Sequence, residues 1–125
     1  MEFIEAPAFT RHISEYLADD EYRELQYRLA MNPELGDLMP GTGGFRKLRW
    51  RDPRRGKGRR GGLRLIYYYF LADQQIWLMT VYDKAEASDL TAKQKKALRN
   101  ALDAELQARR IAQLARAKRL RRIRL

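Results

Sequence analysis

Two largely apolar runs separated by four residues restrict this chain more than anything else in it. The first opens with Gly61-Gly62-Leu63-Arg64 and continues as Leu65 to Leu71 (LIYYYFL). The second runs from Ile76 to Lys84 (IWLMTVYDK). Both are rich in β-branched and aromatic residues, which fit a pleated surface, and the intervening Ala72 to Gln75 suits a hairpin loop. Neither run alternates cleanly between apolar and polar, so the hairpin is expected to be covered on both faces. Its charged ends then stand out. Arg64 lies where the first strand begins and Lys84 where the second ends, which in an antiparallel pair is the same edge of the sheet. Two cations are thus expected at the rim of a hydrophobic platform.

The remaining residues supply that cover. A chain of 125 residues with 45% hydrophobic side chains can build one modest core. Phe3-Ile4-Glu5 reads as a short strand. A helix should start near Pro7 and carry Phe9, Ile13, Tyr16 and Leu17 on one stripe. Asp19-Asp20 can cap a second helix with Tyr22, Leu25 and Leu29 at helical spacing, ended by Asn32-Pro33. The two read as an αα-hairpin lying on the sheet. After a turn-rich connector with Gly41-Thr42-Gly43-Gly44, Phe45 to Arg51 mixes apolar and basic residues and reads as a strand bordering a charged groove. Asp52 to Arg60 is a loop in which five of nine residues are basic. Thr91-x-x-Gln94 is a capping box, and Leu98, Leu102 and Leu106 give the helix that follows an i, i+4 stripe. From Arg109 onward there are eight bases and no acid, so 109–125 reads as a basic extension to a domain of residues 1–108.

Charge is abundant and polarised. The chain carries 26 Lys+Arg against 16 Asp+Glu, a formal net charge of +10, yet Met1 to Pro40 has a net of −6 and the remainder +16. Such a distribution suggests a polyanionic partner, nucleic acid before an anionic membrane. The chain has no cysteine, which excludes disulfides and thiolate metal sites and fits a reducing compartment. No apolar run reaches the roughly 18 residues of a membrane span, and the N-terminus lacks a signal-peptide pattern, so a cytoplasmic protein is expected.

Three motifs invite chemistry and lose to simpler readings. Gly56-x-Gly58-x-x-Gly61 has the spacing of a dinucleotide fingerprint, but a basic loop precedes it and a strand follows. The pyrophosphate would need a strand before the motif and a helix N-terminus after it. Asp83, Glu86 and Asp89 are better explained by capping and solvation than by a metal. His12 is the only histidine, with no nucleophile or acid arranged around it. Neither a metal nor a cofactor is expected. What remains is the basic rim, with Arg46, Lys47, Arg60, Arg64 and Lys84 near Tyr67, Tyr69 and Tyr82. Cations hold phosphates and aromatic faces stack unpaired bases, so the set suits single-stranded RNA. The alternative for each tyrosine is a place in the core.

Three ordered blocks carry a resemblance. Gly41 to Arg49 (GTGGFRKLR), Gly58 to Tyr68 (GRRGGLRLIYY), and Val81-Tyr82-Asp83-Lys84 with Ser88-Asp89-Leu90 resemble the RelE superfamily, in particular its HigB-type toxins, over Met1 to about Gln107. The resemblance implies an α+β protein: a compact RelE-like fold with two N-terminal helices on a twisted antiparallel sheet and a C-terminal helix. It also implies a ribosome-dependent mRNA endonuclease of a type II toxin–antitoxin system. Such a protein is silenced by an antitoxin, expected to be of helix-turn-helix type, and reaches operator DNA only through it. In the implied metal-independent mechanism the ribose 2′-OH attacks the adjacent phosphate. Arg64 matches the family's arginine on the central strand and Lys84 the lysine after the last one. Arg64 is expected to stabilise the phosphorane, with Arg46, Lys47, Arg60 and Tyr82 binding the RNA.

The match is not uniform. Asp83 stands where a glycine often precedes that lysine. A neighbouring carboxylate favours the charged ammonium, so an electrostatic role suits Lys84 better than that of a base. The additional arginine and the late tyrosine of some RelE enzymes have no counterpart at Ala85 and around Thr91. A second reading is a non-catalytic module of the same fold that grips nucleic acid or another macromolecule, as gyrase-poisoning relatives do.

Overall fold

The structure, a computed structural model, describes residues 1–53, 62–85 and 89–123. The elements run β1 (Glu2–Glu5), α1 (Pro7–Tyr16), α2 (Asp19–Met31), β2 (Asp37–Leu38), β3 (Arg46–Trp50), β4 (Leu63–Phe70), β5 (Gln75–Asp83) and α3 (Ala92–Ile123). The five strands form one sheet in the order β1-β5-β4-β3-β2. β4 and β5 are the hairpin read from the sequence, closed by a turn in which Gln74 has φ 51°. All neighbouring pairs are antiparallel except β1 with β5, so the sheet is mixed. Two N-terminal helices, this sheet and a long C-terminal helix make the α+β architecture.

The hairpin is covered on both faces because its side chains divide between two cores. Leu63, Leu65, Tyr67, Ile76, Leu78 and Val81 pack with Leu48 and Trp50 against the helix pair, which contributes Phe9, Ile13, Tyr16, Leu17, Leu25 and Leu29. The opposite face joins Phe45, Ile66 and Phe70 to Met39 and Leu102, with Tyr68, Trp77 and Leu98 packed alongside. Tyr67 is fully buried in the first core; its hydroxyl donates to the Pro33 carbonyl at 2.7 Å and accepts the Gly36 N–H at 2.9 Å. It pins the end of the helix pair to the sheet.

Local signals explain the helix limits. α2 begins one residue earlier than a cap at Asp19 would have it. Ala18 occupies the cap position, where its N–H donates to Glu21 Oε1 at 2.9 Å, and Asp19 and Asp20 fall inside the first turn, where the dipole favours them. At α3 both halves of the capping box form: Gln94 N–H to Thr91 Oγ1 at 3.1 Å, and Thr91 N–H to Gln94 Oε1 at 2.8 Å. Leu102 of the α3 stripe is buried, whereas Leu106 is exposed. α3 does not break at the change in composition near Arg109. That residue fastens the helix to the hairpin turn, with its guanidinium 3.8 Å from the Phe70 ring centroid and paired with Asp73 at 2.6 Å and Glu105 at 3.0 Å.

Candidate nucleic-acid interface

Strand register assembles the site. Arg64 of β4 lies opposite Arg49 of β3 on one side and opposite Tyr82 of β5 on the other, so Arg49, Arg64 and Tyr82 form one row across the sheet. The next row toward the sheet centre is Lys47, Ile66 and Thr80. Both rows lie on the α3 face. Lys47 reaches Asp89 at 3.6 Å, just before α3. β5 keeps Tyr82 on this face through a bulge: the register slips between Ile66 and Tyr67, leaving Met79 as the extra residue.

Arg64 is an unusual occupant for this position, being only 4% exposed. Its Nη1 donates to the Leu63 carbonyl at 3.2 Å. Burial and the facing Arg49 push its pKa below the ordinary arginine value, with Tyr82 and Asp83 opposing them. An arginine starts so high that it remains a cation at neutral pH. Like charges directly opposite one another across a strand pair are destabilising, and at Arg64 the effect of Arg49 is opposed by Tyr82 and Asp83. Arg49→Gln is therefore expected to raise stability by up to about 1 kcal/mol while weakening RNA binding. Urea unfolding and an RNA-binding titration on the same variant would check both signs.

Tyr82 adds a neutral donor. Burial, then the charge of Asp89, hold its pKa above the usual phenol range, so it is protonated at physiological pH. Its hydroxyl is buried and, among the described residues, has no hydrogen-bond partner. Asp89 is held in the opposite direction, below the usual carboxylate range, first by the Leu90 N–H, against burial as the next effect, and then by Lys47 and Lys95. It divides two depressions. One is a hollow of about 230 Å³ with mixed charge, bordered by Lys47, Arg49 and Lys95 and by the carboxylates of Asp37 and Asp89. The other is a cleft of about 700 Å³ beside Met79, Tyr82, Leu90 and Leu98. Volumes of roughly 300–1,000 Å³ are usual for small-molecule sites.

The residues singled out from the sequence do not all meet here. Arg64, Lys47 and Tyr82 do. Arg46 lies in the row of Tyr67 and Leu78 on the helix-pair face, where its guanidinium donates to the Gly36 carbonyl at 2.8 Å and binds the segment after α2. Lys84 is exposed in the turn after β5, at the Arg64 end of the sheet, with its backbone N–H on the Gly62 carbonyl at 3.3 Å. Asp83 is fully buried in the row of Trp50 and Leu63, on the other face from Arg64, and its Oδ1 accepts the Ala85 N–H at 2.8 Å. Arg60, the glycine-spaced loop and Glu86 lie outside the described residues. Of the other two tyrosines, Tyr67 is core and Tyr69 packs at its margin.

Arg49 is the member that the rim assignment misses. Period-two alternation carries the signal: Arg46, Leu48 and Trp50 share one face, Lys47 and Arg49 the other. No family model matches the chain. Among the described residues, no helix is long and apolar enough to cross a membrane, and no cluster of His, Asp or Glu could hold a metal ion.

Proposed function

We propose that this protein is an mRNA-cleaving toxin of the RelE/HigB type that acts in the cytoplasm on ribosome-bound message, and that the Arg49–Arg64–Tyr82 row holds the scissile phosphate. The observation that carries this reading is the pair of arginines facing each other across β3 and β4 on the α3 side of the sheet, one of them buried. The partner that silences such a protein is an antitoxin.

Two neighbouring spaces suit a nucleotide. The hollow beside Lys47 and Arg49 takes the backbone, and the larger cleft beside Tyr82, Met79 and Leu90 takes a base. In the reaction, the 2′-oxygen attacks phosphorus and loses its proton to water. The bond from phosphorus to the 5′-oxygen then breaks, and that oxygen takes up a proton. The products are a 2′,3′-cyclic phosphate and a 5′-hydroxyl. Charge on the non-bridging oxygens is greatest in the transition state, where fixed donors contribute most. Arg64 supplies charge, Arg49 and Lys84 add to the positive field, and Tyr82 donates a neutral hydrogen bond. Arg64 and Tyr82 both hold their protons at neutral pH, so neither is a base. That observation favours the second reading, a non-catalytic binding module, unless catalysis is mainly electrostatic.

The termini separate the two. The cleavage reading expects new 5′ ends that polynucleotide kinase labels without prior dephosphorylation. New ends that carry a 5′-phosphate, or translation arrest with no new ends, would reject it. Tyr82→Phe is expected to slow cleavage about 10-fold, the value of roughly one hydrogen bond. Thermal stability should not fall, because among the described residues the deleted hydroxyl satisfies no partner.

A further inference from the structure

The distal half of α3 has no role in the site described above. Beyond Arg109 every described residue, Arg110 to Ile123, is exposed. At 1.5 Å per residue this is a rod of about 21 Å, and Arg109 itself is about 26 Å along the helix from Ala92; Ala112, Gln113 and Arg116 border a hollow shared with Ile4, Asp73 and Gln75 of the body. The helix persists because it extends one already anchored, so no new nucleus is needed, and because Ala, Gln, Leu, Arg and Lys dominate its sequence.

Its surface is unusual in what it lacks. Arg110, Arg116, Lys118, Arg119, Arg121 and Arg122 carry six positive charges, and no acid follows Glu105. A solvated helix stabilises itself by pairing acids with bases at i, i+4. Here Lys118 meets Arg121 and Arg122, and Arg116 meets Arg119, at spacings where like charges cost roughly 0.2–0.5 kcal/mol per pair. The apolar residues make no face either. Ile111, Leu114, Ala117, Leu120 and Ile123 recur every three residues, and each step rotates by roughly −60°, so the row winds around the helix. That disfavours both a lipid surface and a coiled-coil seam, each of which needs one continuous stripe. The six cations spread over about 240° of the helix circumference, which suits a ligand whose phosphates reach more than one side of the helix.

We infer that residues 110–123 are an arm that binds folded RNA at a site separate from the Arg64 row. The choice of RNA over DNA rests on the function proposed above; the anion-binding arm does not. On a ribosome the arm would grip structured RNA some tens of ångströms from the cut, adding to affinity and leaving the chemistry to the sheet.

The test uses the full chain carrying Arg64→Ala, so that no cleavage is needed. Its binding to a structured RNA hairpin, and to a DNA hairpin of the same sequence, is measured across salt concentrations. The comparison is with the same chain bearing Gln at the six basic positions, and with one bearing Lys at the five arginines among them. The Gln set should bind RNA at least 10-fold more weakly, with a shallower dependence of log K on log salt, by roughly 0.7–0.9 for each phosphate no longer neutralised. The Lys set should keep the wild-type slope, and RNA should be preferred to DNA. Unchanged RNA affinity in the Gln set would overturn the inference. So would equal binding of DNA, or loss only of self-association through a second copy's acidic N-terminal helices. Failure of cleavage by the unmutated protein would reject the proposed function without altering these titrations.

Discussion

Arg64→Ala is expected to lower the rate of mRNA cleavage by about 10²–10³-fold, the cost of removing one preorganised donor to a developing oxyanion. The protein should stay folded. The substitution empties part of a buried site, but it also removes a cation held away from water and facing Arg49. Arg64→Lys should recover only part of the rate, because an ammonium offers a point charge where the guanidinium offers a planar fork. Single-turnover cleavage on programmed ribosomes, with a melting curve for each variant, would check this. A rate within a few-fold of wild type for Arg64→Ala would remove Arg64 from the chemistry.

Gly62→Ala is the second large effect, and it acts through backbone. A Cβ at Gly62 would overlap the Trp50 carbonyl oxygen and stand 2.9 Å from the Asp52 nitrogen, atoms that no side-chain rotation can move. The start of β4 would have to pull away from β3. Arg64 is two residues on, and the Gly62 carbonyl also accepts the Lys84 N–H, so one methyl group disturbs both cation-bearing strand ends. Overpacking of this kind costs about 1–3 kcal/mol. The denaturation midpoint should fall with its slope unchanged, and cleavage should fall by more than the folded fraction accounts for. Wild-type stability in Gly62→Ala would mean that β3 and β4 approach less closely than the structure has them.

Much of the fold is legible in the residues because local and global preferences agree. The β4–β5 hairpin, the α1 stripe ending at Leu17, the end of α2 before Asn32-Pro33 and the Thr91 capping box each have a local cause. The less legible parts have tertiary causes. β2 is two residues long, too short for a pattern, and β1 pairs in parallel with β5, which lies far along the chain, Glu2 opposite Gln75. The bulge at Met79 has no glycine to mark it, yet it decides which face Tyr82 occupies. In the site, Arg64 is legible as a charge inside an apolar run. Arg46 and Arg49 are told apart only by strand parity, which exchanges their roles: Arg46 ties β3 to the segment after α2, and Arg49 faces Arg64. At Arg109 the composition changes but helix propensity does not, so the helix continues.

The most direct measurement is 5′-end mapping of a reporter mRNA in a reconstituted translation system, with and without ribosomes, for the wild-type protein, Arg64→Ala and Lys84→Ala. The account predicts codon-phased cuts that need ribosomes, vanish with Arg64→Ala and weaken with Lys84→Ala. Binding or arrest without cuts, or cuts that persist undiminished in Arg64→Ala, would contradict it.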